Sequence, residues 1–170
     1  MGVSEEEEFF RYSNPHSWLL VADDLHDQAV LILESRGKAH VARLGEDGTI
    51  QHKLDRADRA VILLPVFAIE NVLKGIVLFS TPEHVKDARL SNAFVAGHNL
   101  NRLADASGIS LSEAERKVIA FVSEGSVSWA RYPCAPDLAR SKDVRNIHEK
   151  MPGTLLRILK SVRTALMKRL

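Results

Sequence analysis

AVILLPVFAIENVLKGIVLF, residues 60–79, is the longest apolar stretch of the chain, and how it is read decides the fold. A run of about 20 apolar residues is long enough to cross a bilayer. Glu70, Asn71 and Lys74 interrupt it, however, and Pro65 sits inside it. Charges near the middle of a bilayer are costly, so the stretch reads as a buried core helix with no membrane association. The expected helix runs from about Arg56 to Phe79. Pro65 removes one backbone donor and should kink it or mark a late start.

Working upstream, Asn14-Pro15 is a helix-start signal, with Asn as cap and Pro at the first helical position. Trp18, Val21, Ala22, Leu25, Ala29 and Ile32 then recur at helical spacing, up to Arg36-Gly37. From Lys38 to Leu54 that period breaks around Gly45 and Asp47-Gly48, so 39–54 reads as a small β-hairpin insertion or a structured loop. Residues 1–13, with Glu5 to Glu8, read as an acidic, flexible N-terminal segment, which leaves 14–170 as a single domain.

Downstream, Thr81-Pro82 repeats the cap-plus-proline signal for a short helix fading near Leu90-Ser91. Another short helix is expected over Asn99 to Ser107, closed by Gly108. Ser110 or Ser112 caps a stronger one through Tyr132, with Leu111, Val118, Phe121, Val122 and Trp129 toward the core, and Pro133 and Pro136 stop it. A last helix begins at about Thr154 and aligns Leu155, Ile158, Leu159, Val162, Leu166 and Leu170 on one stripe. The fold class is therefore mainly all-α, a bundle of four to five helices.

Composition narrows the function. With 45% apolar and 26% charged residues over 170 positions, the chain is globular and able to bury a core without staples. The single Cys134 excludes an intramolecular disulfide and a cysteine-based zinc site within one chain. The seven His show no metal-ligand spacing, and no cofactor motif is present. Met1 to Glu8 is acidic, unlike a secretory leader, so a cytoplasmic location is expected. A net charge of +1 selects for no polyanion overall, yet the last helix is basic.

Three clusters carry chemistry-bearing side chains. Glu70 and Lys74 stand four residues apart, in the order that favours an ion pair on a helix. Within Gly97-His98-Asn99-Leu100, His98 could cap the following helix or donate to a backbone carbonyl. In Trp129-Ala130-Arg131-Tyr132-Pro133, Arg131 suits a helix C-terminus or a bound phosphate, because guanidinium and phosphate match geometrically. Packing and capping alone would account for all three, and a purely structural helical dimerisation domain is one reading of the chain.

Ala68-Ile69-Glu70-Asn71-Val72-Leu73-Lys74, Gly97-His98-Asn99-Leu100 and Ala130-Arg131-Tyr132-Pro133, in this order, resemble the HEPN superfamily in its Arg-Tyr-Pro type. The resemblance spans about Asp55 to Pro136, and Asn99 stands where the family commonly has Asp. It implies a helical bundle that forms a homodimer and associates with nucleotide, RNA or a partner nucleotidyltransferase. Under it Glu70, Lys74, His98, Arg131 and Tyr132 would be ligand-binding residues.

Some members of that superfamily are metal-independent ribonucleases of toxin or defence systems, using an Arg followed by a His with four to six residues between them. Arg would stabilise the phosphate while His moves a proton. The match here is Arg11 to His16, at the chain start and across Pro15; Arg145 is too close to His148, and Arg140 too far. A non-catalytic binding module is therefore expected first. A divergent ribonuclease would have to draw on His98, Arg131 or His148, joined across a dimer. In the last helix, Arg157, Lys160 and Arg163 are candidate phosphate contacts, lying with Lys168 and Arg169 beyond the final acid at Glu149. That helix has no aromatic residue for base stacking.

Overall fold

A helix that is apolar all round can only be stable if it is covered all round. In the computed structural model, which describes residues 4–35, 40–55, 58–95, 97–126 and 150–170, that helix is α3, Asp58–Ser80. Its segment Arg59–Ser80 is long and apolar enough to cross a membrane, and 78% of its apolar window is buried within the fold. Ile62, Val66, Ile69, Val72, Leu73 and Ile76 are each at most 2% exposed. The fold is mainly α. Pro65 does not delay the helix start, and one continuous helix runs through it.

Four elements supply the cover. Helix α2 (Pro15–Ser35) packs lengthwise on one side of α3, and α7 (Met151–Met167) packs on another. Helices α5 (Leu100–Ala106) and α6 (Glu113–Ser126) pack against α3 and against each other. The stripe of α7 is buried at Leu155, Ile158, Leu159, Val162 and Leu166. It starts at Met151 rather than Thr154, with Pro152 in its first turn. Leu170, expected on the same stripe, lies past the helix end and is 41% exposed.

Helix α2 meets α3 through small residues. Ala22 and Ala29 are buried on it, whereas Val21, expected in the core, is exposed. Asn14 caps its start, with Oδ1 accepting from the Ser17 amide at 3.1 Å. On α3 the matching small residue is Gly75. A Cβ there would meet Leu166 Cδ2 at 3.0 Å, Trp18 Cβ at 3.3 Å and the Pro15 carbonyl at 3.4 Å. Gly75 thus sets how closely the first turn of α2 and the end of α7 approach α3.

Capping sets several ends. Ser112 and Glu115 form a reciprocal box before α6: Ser112 N–H and Oγ donate to Glu115 Oε2 at 2.9 and 2.7 Å, and Glu115 N–H returns to Ser112 Oγ at 3.3 Å. Ile119, which the sequence pattern did not single out, is fully buried on that helix beside Val122. Trp129 and Tyr132, placed by sequence near its end, lie outside the described residues. The acidic head, expected to be flexible, is helical from Glu5 to Tyr12 (α1), with a Ser4–Glu7 capping box and four glutamates at the favourable end of the helix dipole.

Two hairpins decorate the bundle. β1 (His40–Leu44) and β2 (Ile50–Asp55) pair antiparallel, with a register shift between Arg43 and Leu44, within the span where a hairpin or loop was expected. Their turn has Gly48 at φ +77° and Asp47 Oδ1 accepting from Thr49 N–H and Oγ. The helix expected after Thr81-Pro82 is instead a single 3-10 turn, Pro82–His84, followed by β3 (Val85–Lys86) and β4 (Arg89–Leu90). Asp87 and Ala88 both adopt φ +51° between those strands, a left-handed pair that reverses the chain where a helix would have continued. A four-residue helix, α4 (Asn92–Val95), follows.

Two expected outcomes test these constraints. Gly75→Ala adds crowding worth about 1–3 kcal/mol against a helix-propensity gain of about 1 kcal/mol. Urea unfolding should show a net loss, whereas Gly153→Ala in α7, with open space at its Cβ, should be neutral or stabilising. Ser112→Ala should cost about 1 kcal/mol at neutral pH. Ser112's hydroxyl and then its amide hold the Glu115 carboxyl below the usual glutamate value. That contribution is present above the unfolded pKa and lost as pH falls through the lowered folded one. The gap between wild type and Ser112→Ala should therefore narrow in acid, as read by thermal unfolding across pH.

Candidate functional site

Glu70 and Lys74 lie on successive turns of α3, and the surrounding helices bury both. Their side chains are 10% and 5% exposed, and Lys74 Nζ donates to Glu70 Oε1 at 2.8 Å. Pairing offsets part of the desolvation of each charge, and further partners complete the set. Lys74 Nζ also reaches the Val95 carbonyl at 3.5 Å, and lies 5.9 Å from the Trp18 ring centroid and 5.7 Å from that of Phe94.

The third member comes from the segment between α4 and α5. His98 Nδ1 lies 3.1 Å from the same Glu70 Oε1, although 28 residues separate them in sequence. His98 does not cap α5. Asn99 does, its side chain accepting from the Arg102 amide at 3.0 Å. Asn is among the strongest cap residues. A carboxylate already paired with an ammonium is an acceptor, so Nδ1 of His98 is the donor. On the neutral ring Nε2 is then an acceptor, and on the protonated ring both nitrogens donate. With its side chain 52% exposed, His98 opens toward solvent while the pair beneath it does not.

His98 lines a cavity of about 970 Å³ together with His84, Phe94, Asn99, Asn101 and Arg102. His84 is itself held, with Nδ1 2.9 Å from Ser91 Oγ and its ring stacked on Phe94 at 5.2 Å. Phe94 meets Trp18 edge-on at 5.4 Å. One wall is therefore aromatic, and charged residues of both signs, Arg102, Asp105 and Glu124, also line the cavity. Asn101 donates to the Arg116 carbonyl at 3.2 Å, and its Oδ1 is buried with no partner among the described residues.

The structure thus brings together Glu70, Lys74 and His98. Arg131, Tyr132 and His148 lie outside the described residues. Trp18, His84, Phe94 and Arg102 join the surroundings without having been singled out from sequence. Arg102, four residues after His98 on a short helix, was the one with a local signal. Among the described residues no group of three or more His, Cys, Asp or Glu is placed to hold a metal ion.

The last helix departs from expectation at one position. Arg163 is paired with Asp23 of α2, Nε to Oδ1 at 2.6 Å and Nη2 to Oδ2 at 2.8 Å, across 140 residues. Those hydrogen bonds to Asp23 raise its pKa further above the usual arginine value. It ties α7 to α2 instead of standing free for phosphate. Arg157 and Lys160 remain exposed.

No known protein family, no curated protein and no solved structure matches the chain.

A double-mutant cycle tests the pair. Lys74→Met or Glu70→Gln alone leaves a buried charge without its partner and should cost about 3–5 kcal/mol. The double variant Glu70→Gln/Lys74→Met should lose clearly less than the sum in urea unfolding. Simple additivity would mean that the two groups are not coupled.

Proposed function

We propose that the chain is a HEPN-like binding module that takes a nucleotide, free or at the end of an RNA, in the cavity beside His98. One observation carries the reading. Two of the three motifs behind the resemblance, 28 residues apart, converge on a single carboxylate oxygen at that cavity. An exposed imidazole oriented from beneath by a buried ion pair gives the cavity a placed polar group beside apolar walls, as ligand pockets have. In this proposal His98 and Arg102 contact phosphate, and the apolar and aromatic wall accepts the base. Glu70 and Lys74 do not touch the ligand; they orient His98. Arg131 and Tyr132 belong to the same proposal on the sequence alone, as do a homodimer and a partner nucleotidyltransferase.

A divergent ribonuclease is the second reading, favoured by the Glu70–His98 contact. A carboxylate holding Nδ1 leaves Nε2 as the nitrogen able to exchange a proton with a ribose hydroxyl, and Arg102 lines the same cavity.

Calorimetric titration with AMP and with a short single-stranded RNA separates the outcomes. Binding should weaken about 10- to 100-fold in His98→Ala, the effect of losing a hydrogen bond to a charged group. Unchanged affinity in that variant, or no binding by the wild type at millimolar AMP and RNA, would overturn the proposal. RNA cleavage in EDTA that is lost in His98→Ala would move the function to the second reading.

A further inference from the structure

Five cations distinguish the C-terminal helix and its end, and tertiary packing divides them into two groups. Arg163 is closed on Asp23, and Arg169 donates Nη1 and Nη2 to the Ser107 carbonyl, both at 3.2 Å, at the end of α5. These two bind the helix to its neighbours. Arg157, Lys160 and Lys168 are exposed and border one shallow groove of about 480 Å³, together with Ser161 and Thr164. Their spacing of three and eight residues keeps them on one face, over about 16 Å of helix. The Arg157 charge helps to lower the Glu115 carboxyl, which Ser112 holds in the α6 cap.

The surroundings of this face discriminate among polyanions. An amphipathic helix that binds a lipid surface inserts its apolar side. Here Leu155, Ile158, Leu159, Val162 and Leu166 are at most 1% exposed, consumed by packing in the core. Single strands are gripped largely by aromatic stacking, and α7 has no aromatic residue. What remains is contact with a regular array of phosphates. A duplex offers one charge per roughly 1.7 Å of its axis, so three cations over this length all meet phosphate without a need to read bases. The Ser161 hydroxyl adds a neutral donor along the same line, whereas that of Thr164 is donated to the Lys160 carbonyl at 2.8 Å.

We propose that the Arg157–Lys160–Lys168 face of α7 binds the phosphate backbone of a nucleic-acid duplex without base specificity, as a second surface separate from the cavity beside His98.

Fluorescence anisotropy with the full chain tests it. The probes are a 20-base-pair DNA duplex, an RNA duplex of the same sequence and a scrambled DNA duplex, each from low to moderate salt. The expected result is similar affinity for the two DNA sequences, with log K falling against log salt at a slope of about −3. Lys160→Glu/Lys168→Glu should weaken binding at least tenfold with an unchanged melting temperature and an unchanged affinity for AMP. Similar binding of DNA and RNA places recognition in the shared backbone; preference for RNA places it in the A-form backbone, and both support the proposal. Binding undiminished in the double variant, strong preference for one DNA sequence, or no binding at low salt would overturn it. So would capture by phosphatidylserine vesicles with no binding to any duplex.

Discussion

The bundle depends on one constraint: α3 is apolar on every side and must be covered on every side. Packing α2, α5, α6 and α7 around it removes that surface from water. The same constraint forces a solution for its two charges. Glu70 and Lys74 cannot reach solvent without unpacking the helix, so they meet each other one turn apart, and the neighbouring elements supply the Val95 carbonyl and two aromatic rings. The close approach at Gly75 is one residue from Lys74, and Trp18 takes part in both contacts. Packing geometry and electrostatics therefore meet in a single turn of α3.

That turn also links the core to the cavity beside His98. Glu70 Oε1 has two partners, and the second is an exposed imidazole at the edge of a cavity. The buried ammonium fixes the carboxylate, the carboxylate fixes Nδ1 of His98, and Nε2 is what a ligand would meet. The order runs from rigid core to exposed edge, as a preformed site requires. Across the molecule α7 makes the complementary division, with two arginines tying it to α2 and α5 and three other cations facing outward.

Much of the fold was legible because it rests on interactions within four residues. Asn14-Pro15, Ser112 with Glu115, and Asp47-Gly48 each act through local hydrogen bonds and backbone preference, and each marks an element where expected. The apolar run at 60–79 and the stripe on α7 also carried their own period. Failures came where tertiary context overrode the local signal. Thr81-Pro82 looks like a helix start, yet Asp87 and Ala88 turn left-handed and the chain forms a short hairpin. Val21 fits the helical stripe, but the small residues Ala22 and Ala29 set the α2 contact and leave it outside. At the acidic head the missed signal was itself local, the Ser4–Glu7 capping box that favours a helix.

The sequence by itself determined that the chain is mainly α, that residues 60–79 form its central helix, and that Glu70 and Lys74 face one another. Propensity, capping and helical period are local, and a span of four residues contains all the information they need. Only the tertiary structure decided that His98 joins Glu70 across 28 residues, that Arg163 joins Asp23 across 140, and hence which groups stay open to a ligand. Such pairings depend on how helices pack around α3. Packing is fixed by side-chain volume and burial summed over the whole bundle, which no single stretch of sequence displays.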